Sequence, residues 1–116
     1  MLTPRSLMSA DTVNDRIYVS GGFNEGRELT TCEYYVPAND AWSSCASMTV
    51  PRSGLGLARV GTSLFAIGGG STGFIGFNER YDTLSDRWTP LETPITSDWQ
   101  SIAVASMPGE FFVFGG

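Results

Sequence analysis

Arg16-Ile17-Tyr18-Val19-Ser20-Gly21-Gly22 decides the reading of this chain, because the same pattern returns twice. Ser63-Leu64-Phe65-Ala66-Ile67-Gly68-Gly69 and Glu110-Phe111-Phe112-Val113-Phe114-Gly115-Gly116 have the same form. Each is a short run of β-branched, aromatic and aliphatic residues closed by two glycines, which reads as a strand running into a tight turn. The glycine pairs stand 47 residues apart (68 − 21 and 115 − 68). A fixed period of this length marks a repeat architecture.

Working outward, Met1-Leu2-Thr3-Pro4-Arg5-Ser6 matches Met48-Thr49-Val50-Pro51-Arg52-Ser53 at the same shift. The third copy has diverged to Ile95-Thr96-Ser97-Asp98-Trp99-Gln100. Downstream, Glu33, Tyr35 and Trp42 match Glu79, Tyr81 and Trp88 at a shift of 46, so one residue has been lost from the intervening loop. Surface loops tolerate such slack while strands do not.

Each copy is expected to hold four strands. The first spans Ser6–Val13 and Ser53–Val60 in the two full copies, and turns follow at Asn14-Asp15, Gly61-Thr62 and Pro108-Gly109. Asn, Asp, Gly and Pro suit those positions for backbone reasons. The second strand enters the glycine pair. The third covers about Leu29–Tyr35 and Ile75–Tyr81, and the fourth begins near Trp42 and Trp88. No stretch keeps a helical period. The repeats divide the chain into 1–47, 48–93 and a partial copy at 94–116 that ends after its second strand.

Four antiparallel strands in every such unit make an all-β propeller blade. A glycine pair after an apolar run, followed by spaced Tyr and Trp, resembles the kelch repeat. The stretch from Met48 through Pro51-Arg52-Ser53-Gly54-Leu55-Gly56 to Asn78-Glu79-Arg80-Tyr81-Asp82 and Trp88 carries this resemblance most fully. The first copy departs from it with Tyr35-Val36. Kelch propellers close a ring of several blades, so two and a half blades read as a fragment of a longer propeller, or as a chain whose copies assemble one. Unpartnered blades leave apolar faces and strand edges in water.

Composition narrows the function. The net charge is −5, with seven arginines, no lysine and no histidine. Nucleic-acid and polybasic membrane contacts need clustered positive charge, so neither is expected. The longest apolar runs are short, and the first residues lack the stretch of a secretory leader. With only two cysteines, the chain leans towards the cytosol. Without histidine there is no imidazole base or metal ligand. Gly68-Gly69-Gly70-Ser71-Thr72-Gly73 fits a Gly-x-Gly-x-x-Gly pattern, but a strand is expected next where a dinucleotide site needs a helix. No cofactor is therefore expected.

Strand direction alternates along a blade. The connections between second and third strands, and those between successive blades, therefore share one end. In peptide-binding kelch propellers that end is the binding face, and the resemblance implies that Arg5 and Arg52 contact the ligand there, with Ser6 and Ser53 beside them and Trp99 in the third copy. Pairing of the two arginines with acidic residues of their own blades is the competing reading. Glu33 and Glu79 are expected to make structural hydrogen bonds, and the repeated Tyr and Trp to pack. If Tyr35 faces Trp42, paired numbers sum to 77, and so do Cys32 and Cys45. The two thiols then lie opposite one another near disulfide range. Asn78 and Leu91 occupy those places in the second copy, so a bridge is not a requirement of the blade, and a cytosolic setting favours two free, half-buried thiols.

The resemblance of Met48–Leu57 to BTB-kelch proteins implies a protein-interaction scaffold that recognises substrates for a ubiquitin-ligase adaptor. A kelch-fold enzyme with its catalytic residues in further blades, and a self-associating structural fragment, are the alternatives.

Overall fold

The computed structural model describes residues 1–69, 78–91 and 102–114. Strands β1 (Ser9–Val13), β2 (Arg16–Ser20), β5 (Cys32–Val36) and β6 (Ala41–Cys45) form one antiparallel sheet in the order β1-β2-β5-β6. A two-stranded ribbon, β3 (Phe23–Asn24) and β4 (Arg27–Glu28), and a short 3₁₀ turn at Pro37–Asn39 fill its connections. The second sheet repeats the meander with β7 (Gly56–Val60), β8 (Ser63–Ile67), β9 (Glu79–Asp82) and β10 (Arg87–Pro90). A hairpin of β11 (Ala103–Met107) and β12 (Glu110–Phe114) follows. Among the described residues the architecture is all-β: two four-strand blades and a hairpin, an unclosed ring.

Turn chemistry makes the hairpins. Asn14 and Asp15 both take left-handed backbone (φ 50° and 60°), which joins β1 to β2 with the right-handed twist of the strands. Register then follows the expected pairing: Tyr35 lies opposite Trp42 and Tyr81 opposite Trp88, with ring centroids 5.1 and 4.9 Å apart.

The first strand of each blade begins later than expected, at Ser9 and Gly56 instead of Ser6 and Ser53. Likewise β5 begins at Cys32, not Leu29. The reason is where the backbone groups go. Ser6 pairs with Phe23 as an isolated bridge, while the carbonyls of Leu29, Thr30 and Thr31 accept from Arg52, Met48 and Gly21. Those residues bind the connections together and do not extend the ladder.

The blades pack through their first strands, with β7 lying between β1 and β11. Val13, Tyr18, Leu55, Leu57, Leu64, Tyr81 and Trp88 form the buried core across this seam. Polar groups fix its register. Trp88 Nε1 donates to Ala46 O (2.7 Å), and Ala46 N donates to Asp86 Oδ1 (2.8 Å), which also accepts from Tyr81 OH (2.6 Å). The Tyr81 phenol is pushed above its ordinary pKa by burial first and by the Asp86 hydrogen bond second.

Cys32 and Cys45 are joined in a disulfide, with Cα atoms 5.1 Å apart. This corrects the expectation of free thiols. The two residues are direct register partners on β5 and β6, which brings their Cβ atoms into bonding range whatever the compartment.

Candidate interaction face

The end of the molecule where successive blades connect is built on a repeated arginine–glutamate pair. Arg52 is fully buried; its guanidinium donates to Glu79 Oε2 from Nη2 (3.1 Å) and Nε (3.3 Å), and to Gly68 O from Nη1 (3.0 Å). Glu79, also at 0% exposure, takes the Thr49 N–H at 2.8 Å. Burial pulls the Arg52 pKa below its ordinary value, and Glu79 opposes that pull.

The first blade repeats the device. Arg5 Nη2 reaches Glu33 Oε2 at 2.6 Å and Thr31 Oγ1 at 3.0 Å, while Nη1 donates to the carbonyls of Gly21 and Thr31, both at 2.9 Å. Glu33 also receives the N–H groups of Leu2 and Thr3. One difference is that the buried Arg5 Nε has no hydrogen-bond partner among the described residues.

These contacts explain the glycine pairs. The segment carrying each arginine crosses directly over a pair, so a side chain there meets backbone. A Cβ on Gly21 would lie 2.6 Å from Arg52 O, one on Gly22 2.7 Å from Ser6 O, and one on Gly69 2.9 Å from Ser53 O. Gly22 N donates to Arg52 O at 2.7 Å, Arg52 N to Leu29 O at 3.1 Å, and Met48 N to Thr30 O at 2.8 Å. The loop between the second and third strands of the first blade is thereby welded to the connection entering the second blade.

The resemblance placed Arg5 and Arg52 as ligand contacts. The structure instead encloses both side chains, each at 0% exposure, inside the competing arrangement of acidic pairing within the blade. Their forks are aimed inward at carboxylate and carbonyl oxygens. Ser53 is buried with its hydroxyl donated to Glu28 Oε1 (2.8 Å). Ser6 is exposed, its hydroxyl 3.5 Å from Phe23 O. Trp99 lies outside the described residues, as do Gly70–Gly73. Glu33 and Glu79 make the structural hydrogen bonds expected of them.

What the face presents, beyond Ser6, is the β3–β4 ribbon. Glu25, Gly26 and Arg27 are exposed at its tip, and Phe23 and Asn24 are half-buried at its base. Leu7 stands nearby, 56% exposed, with φ 57°. Its repeat partner is Gly54, with φ 67° and its N–H on Leu7 O (2.9 Å). Sequence reasoning missed Leu7. The signal was present: a leucine stands where the other copy needs a glycine.

At the opposite end, a groove of about 800 Å³ is lined by Asn14, Arg16, Ile17, Pro37 and Arg59 among others. Arg16 lies over the Tyr34 ring at 4.6 Å, and its hydrogen bond to Tyr18 raises its pKa. Among the described residues no cluster of His, Cys, Asp or Glu could hold a metal ion, and no helix is long and apolar enough to cross a membrane.

Residues 4–49 match the Kelch motif family model. Kelch-like protein 25 of Xenopus tropicalis is 29% identical over 126 aligned positions, covering 98% of this chain and 21% of the relative. Kelch-like protein 7 of Rattus norvegicus is 34% identical over 95, covering 78% of this chain and 16% of that protein. Kelch-like ECH-associated protein 1B of Danio rerio is 34% identical over 70, or 57% of this chain and 12% of that protein. Among solved structures, that of YjhT superposes with a TM-score of 0.81 at 20% identity, over 98% of this chain and 35% of that one. The chain thus spans about a fifth of the length of the first curated relatives it matches (21%).

Proposed function

Because this chain is built of kelch-type β-propeller blades, we propose that it is part of a protein-interaction scaffold whose partner sits on the end where blades connect. The observation that carries this reading is the cross-bonding of that end. The Gly22–Arg52, Arg52–Leu29 and Met48–Thr30 backbone hydrogen bonds make one rigid platform from loops of two blades, and preorganised loops bind with a smaller ordering cost. Arg5 and Arg52 serve it from within by holding the loops. Ser6 and the Phe23–Glu28 ribbon supply contacts.

The Kelch-like relatives support a protein partner, and one of them carries an associated factor, ECH, in its name. We extend the reading to substrate recognition for a ubiquitin-ligase adaptor, as the BTB-kelch resemblance of Met48–Leu57 implies.

Random peptides displayed on phage and selected on the 116-residue chain provide the probe. The selected peptides should lose affinity by about tenfold or more on Phe23→Ala or Ser6→Asp, the range of a good interface residue. Loss of binding on Leu84→Ser or Ala38→Asp at the opposite end, with the loop-face variants unaffected, would overturn the assignment.

A further inference from the structure

We propose that the Cys32–Cys45 disulfide is a redox control on the seam between the first and second blades. This control does not depend on which face binds a partner.

The bond lies at a junction. Cys45 is the last residue of β6, and the next residue, Ala46, makes two polar contacts to the second blade: its N–H on Asp86 and its carbonyl under Trp88 Nε1. Cys32 opens β5, directly after Thr31, which accepts from Arg5 and from Gly21 N, and directly before Glu33. One covalent bond therefore anchors the chain where it leaves the first blade for the seam, and the strand that holds the loop platform.

The hairpin does not need this bond to form. In the second blade the same positions are Asn78 and Leu91, and a backbone hydrogen bond, Leu91 N to Asn78 O at 2.8 Å, closes the hairpin without sulfur. The disulfide is thus an addition at one seam, and its removal leaves a hairpin with the non-covalent closure the second blade already uses.

Cys32 is buried at 2% exposure and Cys45 is half-buried, so an external dithiol meets Cys45 first. Its thiolate attacks Cys45 Sγ, the S–S bond breaks, and Cys32 Sγ leaves and takes a proton. The second thiol of the reductant then resolves the mixed disulfide and frees Cys45 as a thiol. Two electrons and two protons pass to the protein, and the dithiol becomes a disulfide.

Reduction opens a covalent loop with a sequence separation of 13. Loop-closure entropy for that length corresponds to about a hundredfold change in the local opening equilibrium.

The test is hydrogen exchange on the whole chain, oxidised and then treated with dithiothreitol, with free thiols counted. Exchange at the Ala46 and Met48 amides should accelerate by about a hundredfold. The amides of β8 should be unchanged, and oxidised glutathione should restore the slow rates. A Cys32→Ser/Cys45→Ser variant should exchange like the reduced chain and ignore dithiothreitol. Three results overturn the proposal: unchanged Ala46 exchange on reduction, equal acceleration of every amide including β8, or sulfurs that resist dithiothreitol until the chain unfolds. Failure of the double variant to fold also overturns it, because the bond would then be a plain staple of the fold.

Discussion

Substitution of Glu79 by Gln tests whether the repeated ion pair holds the blade together. The carboxylate and the Arg52 side chain are both at 0% exposure. The substitution keeps the shape and removes one charge, which leaves the buried guanidinium against a neutral amide in place of the Glu79 carboxylate. Breaking a buried pair from one side costs about 3–5 kcal/mol, against at most about 1 for an exposed pair. A chain of this size has roughly 5–15 kcal/mol in total, so the loss is a large share of it. The double variant Arg52→Met/Glu79→Leu removes both charges. It leaves the Gly68 carbonyl and the Thr49 N–H without their partners, at about 1–3 kcal/mol each. It should therefore cost clearly less than the two single changes added together, with a coupling of about 2–3 kcal/mol. Urea unfolding followed by tryptophan fluorescence measures each variant, and an unchanged denaturant slope identifies the effect with stability. A Glu79→Gln loss below about 1 kcal/mol, or strict additivity in the double variant, refutes the reasoning.

Gly22→Ala should cost about 2–4 kcal/mol, since φ is 106° and a Cβ would press on Ser6 O at 2.7 Å. Gly26→Ala, with φ 80° and nothing within 4 Å of a Cβ, should cost only about 1 kcal/mol. Equal costs in a melting comparison would mean that the crossing segment does not set the need for glycine. The raised pKa of Tyr81 adds stability that is fully present below the ordinary tyrosine value of about 10. Above that pH the unfolded chain ionises while the folded one does not, so stability falls; Tyr81→Phe should make stability measured from pH 9 to 11 less steep, and an unchanged slope would contradict this.

Much of the fold was legible from the sequence because it is local and periodic. The 47-residue spacing of Gly-Gly, the turn residues at Asn14-Asp15 and Gly61-Thr62, and the Tyr–Trp register follow from backbone preferences that act over a few residues. Even the opposition of Cys32 and Cys45 came from arithmetic along one hairpin. What lay beyond that reach was the fate of groups meeting across connections. Arg5 and Arg52 look alike as exposed ligand contacts and as buried struts, because the difference depends on which carbonyls and carboxylates surround them once loops cross. Leu29–Thr31 read as strand, but the Leu29 and Thr30 carbonyls are claimed by the segment entering the next blade and the Thr31 carbonyl by Gly21 and Arg5. The clamp of Asp86 and Trp88 on Ala46 and the exposure of Leu7 belong to the same class. Local pattern determined the strands, their order and their partners. Tertiary structure alone decided which polar side chains were enclosed, since desolvation depends on neighbours remote in sequence.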